Sequence, residues 1–175
     1  MAKLYFLGIK HSGKTTQARL VAEMLGKTSV DADDLVLSYL GTDSIRTYYK
    51  ENGKEAFMLA ETEAVKAYVD EHDNFIMSLG GGASDNQSLI KILKESGFLI
   101  YLRREENEML PVILKHGIPP FLDPDNLESS FHELYERRDR TYRNIADLTV
   151  DLGHYRDKEE TALFLIDALK ENGYV

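Results

Sequence analysis

The chain has 175 residues, of which 43% are hydrophobic and 29% charged, with no cysteine and a net charge of −9. No apolar run approaches the ~20 residues of a membrane span, the missing thiols exclude disulfides, cysteine nucleophiles and thiolate metal sites, and the negative field repels polyanions such as DNA. The expectation is a single domain that buries roughly two thirds of its unfolded surface, in a reducing cytoplasm, with no signal peptide and no nucleic-acid or membrane partner.

In chain order, KLYFL at 3–7 predicts a short buried strand, and the loop from Gly8 to Gly13 follows it. From Lys14, apolar Ala18, Val21, Ala22 and Leu25 recur at helical spacing, and Gly26 is a natural stop. TSVDA at 28–32 predicts a second strand, and DDLVLSYL opens a helix that Asp33 or Asp34 can cap. A long helix follows Gly53, and NFIMSL at 74–79 is a strand ending in Gly80-Gly81-Gly82. Residues 86–95 read as helix, GFLIYL at 97–102 as strand, and REENEMLPVILK as a helix interrupted by Pro111. All four prolines fall between 111 and 124, which predicts an irregular flap. A long helix over 127–146, a strand over 147–152 and a helix over 157–172 with Leu163, Ile166 and Leu169 on one face complete the chain. Short apolar strands alternating with helices predict an α/β fold, a parallel sheet covered on both faces.

The spacing Gly8-x-x-x-x-Gly13-Lys14-Thr15, between a strand and a helix, predicts a phosphate cradle. Glycines let backbone N–H groups turn toward phosphate oxygens, and the helix N-terminus favours an anion. Lys14 supplies a full charge to the outer phosphates, and the Thr15 hydroxyl suits Mg²⁺. ATP with Mg²⁺ is the expected ligand, held by Gly8, His11, Ser12, Gly13, Lys14, Thr15 and Thr16. His11 reads as a spacer whose backbone matters more than its ring.

Asp31 and Asp33 lie two apart, so in an extended segment they point the same way. At the carboxyl end of a parallel sheet they stand beside the cradle, Asp31 for the metal and Asp33 for the proton of an acceptor hydroxyl. The bland alternative is a helix cap followed by solvated acid. Gly80, Gly81 and Gly82 are costly in chain entropy, which makes sense where a ligand comes close to the backbone; a tight turn is the alternative. Arg103-Arg104 reads as a solvated helix start rather than a hinge contact.

The ordered set GIKHSGKTT, DAD at 31–33, GKEAFMLAE at 53–61, GGGA at 80–83, PPFL at 119–122 and ERRDRTY at 136–142 resembles the shikimate kinase family over nearly the whole chain. The resemblance implies one P-loop kinase domain over 1–175 with five parallel strands and a lid at about 109–126, a monomer that transfers phosphate from ATP to shikimate. It implies catalytic roles for Asp33 and Lys14, metal ligation by Thr15 and Asp31, and acceptor binding by Asp33, Gly80 to Gly82 and Arg138. It places the adenine near 151–156. Four positions depart from the pattern: Met58 replaces a carboxylate-clamping arginine, Pro119 the lid arginine, Leu37 an acid and His11 a glycine. Lys115 is the expected stand-in for the lid arginine; Arg46, Lys54, Lys66, Arg137 and Arg140 are candidates for the lost clamp. A less anionic acceptor, or a nucleotide binder without catalysis, are the alternatives these departures open.

Overall fold

The structure is a computed structural model and describes residues 2–175. Five strands, β1 (Lys3–Leu7), β2 (Thr28–Asp31), β3 (Phe75–Ser78), β4 (Phe98–Arg104) and β5 (Leu148–Gly153), form one all-parallel sheet in the order β2-β3-β1-β4-β5. Seven helices surround it: α1 (Lys14–Leu25), α2 (Ala32–Leu40), α3 (Ile45–Glu71), α4 (Gln87–Ser96), α5 (Glu106–Leu114), α6 (Leu127–Ile145) and α7 (Lys158–Glu171).

The central strands β1, β3 and most of β4 are apolar because their side chains alternate between two covered faces, whereas edge strand β2 (TSVD) is polar and only partly buried. Leu4 and Phe6 of β1 pack with Ile76, Ile100 and Leu102 under α1 and α7, while Tyr5 and Leu7 pack with Phe75, Met77 and Tyr101 under α3 to α6. Gly26 closes α1 in the left-handed conformation (φ 64°), where a Cβ is disfavoured.

The structure corrects four readings. The cap of α2 is Asp31, whose carboxylate accepts from the Asp33 N–H at 2.8 Å, because the helix already begins at Ala32. Asp33 is therefore on a helix and not in an extended segment. Helix α3 starts at Ile45, capped by Ser44 (Oγ to Thr47 N, 3.1 Å), and Gly53 is a kink inside it (φ 87°, ψ 175°). On α7 the buried face is Ala162, Leu165, Ile166 and Leu169, whereas Leu163 is 56% exposed. Pro111 does not end α5, which continues to Leu114.

All five strands run the same way, so the carboxyl ends of β1, β2 and β3 bring the loop 8–13, Asp31 and the glycine run 80–82 to one edge of the sheet.

Candidate active site

At that edge lies a cavity of ≈ 730 Å³. The phosphate loop and the start of α1 contribute Lys10, His11, Gly13, Lys14, Thr15 and Thr16; β2 and α2 contribute Asp31 and Asp33. Gly80 to Gly82 form the next wall, and α6 adds Arg137, Arg138 and Tyr142. Val112, His116 and Phe121 of the proline-rich segment close the rim.

The loop is held in shape before any ligand arrives. Lys14 is buried, and its ammonium donates to the carbonyls of Gly8 (2.7 Å) and Ile9 (3.2 Å). Two of its three N–H donors are thus committed and one is free for an anion. Burial lowers its pKa to about 8, opposed chiefly by the attraction of Asp33. Gly8 is needed for packing: a Cβ there would stand 2.7 Å from Ser12 Oγ and 2.9 Å from the Leu102 carbonyl. Gly8 and Ser12 are both buried and off the cavity lining, so they shape the loop from beneath. Gly13 (φ 95°) and His11 (φ 68°) both occupy the left-handed region, a strained place for a histidine. The His11 ring stacks flat on His116, centroids 4.4 Å apart, and so joins the loop to the rim segment.

Arg104 was expected in solvent and is instead 4% exposed beneath the loop. Its Nε donates to the Ser12 carbonyl (3.2 Å), its Nη1 to the His154 carbonyl (2.9 Å), and its guanidinium lies 4.3 Å from the Tyr155 ring centroid. The Tyr155 hydroxyl donates to the His11 carbonyl at 2.8 Å. The β5–α7 connection is thereby wired to the phosphate loop, a link between residues 144 positions apart that no local pattern announces.

Thr15 Oγ1 (3.0 Å) and Ser78 Oγ (3.1 Å) both donate to Asp31 Oδ2. This all-oxygen set of hydroxyls and a carboxylate, beside the phosphate loop, fits Mg²⁺. Among the described residues no group of three or more His, Cys, Asp or Glu is placed to hold a metal.

Asp33 stands against the glycine run: a Cβ on Gly80 would lie 2.9 Å from its Oδ1. Burial raises its pKa, and Asp31 raises it further, while Lys14 opposes them. Arg138 donates to the Gly81 carbonyl (2.7 Å) and to Ser84 Oγ (3.2 Å), and Tyr142 OH donates to the same Gly81 carbonyl (2.9 Å). The spacing of Arg138 and Tyr142, four apart on one helix face, was the signal for Tyr142. Lys115 is exposed and off the lining; the turn after α5 puts His116 there instead. Glu61 is 3% exposed and hydrogen-bonds only to Asn86 Nδ2 (3.0 Å), with no cation paired to it among the described residues. Burial raises its pKa. Its neighbour one turn earlier is Met58.

A strand, a glycine loop and a helix wrapped round a lysine, with hydroxyl and carboxylate beside it, define a P-loop phosphotransferase. The family model described as shikimate kinase matches residues 10–170, and the chain belongs to that family. It is 31% identical over 163 residues to a shikimate kinase of Stenotrophomonas maltophilia (93% of this chain, 89% of the relative) and 32% identical over 148 residues to one of Thiobacillus denitrificans (85% and 80%). Shikimate kinase from Acinetobacter baumannii in complex with shikimate superposes with a TM-score of 0.85 at 24% identity, covering 100% of this chain and 96% of that one. Shikimate kinase from Aquifex aeolicus gives 0.76 at 25% identity, with 97% of each chain covered. The family's members are phosphotransferases that use ATP with Mg²⁺ and act on an alcohol hydroxyl.

Proposed function

We propose that this chain transfers the terminal phosphoryl group of ATP to a hydroxyl of shikimate. The observation that carries the reading is one cavity in which Asp33 lies against Gly80 while Lys14 and Thr15 line the adjoining phosphate loop. The phosphates of ATP lie along the backbone N–H groups of the loop, and Lys14 gives its free donor to them. Thr15 and Asp31 would hold Mg²⁺, which would supply positive charge to the phosphate oxygens. Asp33 orients the acceptor hydroxyl and takes its proton. The acceptor oxygen bonds to the γ-phosphorus as the bond to the β–γ bridging oxygen breaks, and ADP leaves with that electron pair. A raised pKa suits Asp33 to the proton transfer.

Arg138, already tethered to Gly81, holds the acceptor's carboxylate together with the glycine run. Segment 109–126 closes over the site and excludes water. The protein works as a monomeric single domain over 1–175 in the cytoplasm, without nucleic acid or membrane.

A coupled assay of ADP release with MgATP, with and without millimolar shikimate, tests the reading. Turnover is expected to depend on shikimate. Asp33→Asn is expected to lower kcat by roughly 10²–10⁴-fold while ADP binding persists. ATP binding without shikimate-dependent turnover would overturn the acceptor assignment, and an unimpaired Asp33→Asn variant the role of Asp33.

A further inference from the structure

The transferred phosphoryl group carries charge that the enzyme must meet with cations. Of the cations that line the cavity, two are already committed. Lys14 spends two donors on the Gly8 and Ile9 carbonyls, and Arg138 is bound to Gly81, Ser84 and Asp85. The rim segment brings no permanent cation to the lining: position 119 is proline and Lys115 is off the lining.

Lys10 is different. It lines the cavity from the crest of the phosphate loop, it is exposed, and it has no ion-pair partner among the described residues. Its backbone N and Cβ lie 3.8 Å and 3.9 Å from where a Cβ on Gly81 would stand. The residue therefore sits where the phosphate loop meets the glycine run, the seam between donor and acceptor. Its charge is felt at both Lys14 and Asp33, which flank that seam.

We propose that Lys10 is a catalytic residue whose ammonium contacts the γ-phosphoryl group in transit, taking from within the phosphate loop the part that the rim segment has no cation to play. The assignment rests on the phosphotransfer reading above. Lys10 takes no proton and forms no bond; it neutralises charge on the equatorial oxygens while the acceptor oxygen replaces ADP. A lysine is apt there, since its compact charge on a flexible stem can follow the moving group.

Two measurements on Lys10→Ala and Lys10→Arg decide it. In the shikimate-dependent assay, Lys10→Ala is expected to lose about 10²-fold in kcat with the KM for shikimate little changed, and Lys10→Arg to recover most of the loss. In calorimetric titrations without acceptor, Lys10→Ala is expected to weaken AMP-PNP by about tenfold relative to ADP, because only the former carries a γ-phosphate. Wild-type kcat in Lys10→Ala overturns the proposal. If the wild-type protein itself ignores shikimate, the acceptor reading fails, and the ratio of AMP-PNP to ADP affinity alone decides Lys10: an unchanged ratio overturns it.

Discussion

The two halves of the cavity are built differently. On the nucleotide side, the loop is tied down from several elements at once: Lys14 to its own carbonyls, Thr15 and Ser78 to Asp31, Arg104 and Tyr155 to the carbonyls of Ser12 and His11. On the acceptor side, one arginine, Arg138, is fixed and Arg137 is exposed, while Glu61, a buried carboxylate off the cavity lining, has only an amide for company. The difference teaches where the chain can vary. Phosphate chemistry is the same for every acceptor, so its donors are prepaid in rigid contacts. Acceptor recognition is a matter of a few side chains, and there Met58 stands where the family resemblance expects an arginine.

The strongest way to break the comparison is at its rigid end. Lys14→Met should lower kcat by roughly 10²–10³-fold, by analogy with the loss of one preorganised donor, and weaken ATP in a binding titration. A variant with near-normal turnover would mean that the loop backbone alone suffices. Next, Met58→Arg should sharpen the loose end. An arginine three residues before Glu61 lies on the same helix face, gives that buried carboxylate its missing partner, and adds a second clamp. The KM for shikimate is expected to fall by about tenfold. No change, with the protein folded, would show that position 58 does not reach the acceptor.

A smaller effect is expected for Arg104→Ala. Burying fewer hydrogen bonds beneath the loop should cost about 1–3 kcal/mol of stability and raise the Kd for ATP several-fold, with the KM for shikimate little changed. Thermal melts and nucleotide titrations check it, and a rise confined to the shikimate KM would place Arg104 in the wrong half. The mildest prediction concerns pH. The Asp33 pKa is raised by burial and by Asp31, and the carboxylate form is the one that accepts the proton. Activity should therefore fall as pH drops, along an acid limb of kcat/KM that lies above the ordinary carboxylate value of about 3.9. A limb at or below that value would contradict the burial argument.

The sheet and the phosphate loop were legible because their signals are local. Short strands with apolar centres such as LYFL and FIM, the glycine–lysine–threonine spacing and the glycine stop after α1 each follow from a few neighbouring residues and one backbone rule. Gly8, Gly13, Lys14 and Thr15 could be named together because they are close in sequence. What the sequence left open was decided by residues brought together from afar. Arg103 and Arg104 are chemically alike and adjacent. Strand alternation turns Arg103 toward Asp139 and Asp151, and Arg104 under the loop to Ser12 and His154. One residue in the turn after α5 likewise separates Lys115, off the lining, from His116, which lines the cavity and meets His11. Composition, periodicity and motif spacing thus determined an α/β phosphate-binding chain. Only the packed structure decided which cations face the cavity and which brace it, because side-chain direction depends on register and helix phase, and partners such as Tyr155 and His11 meet only when the sheet is assembled.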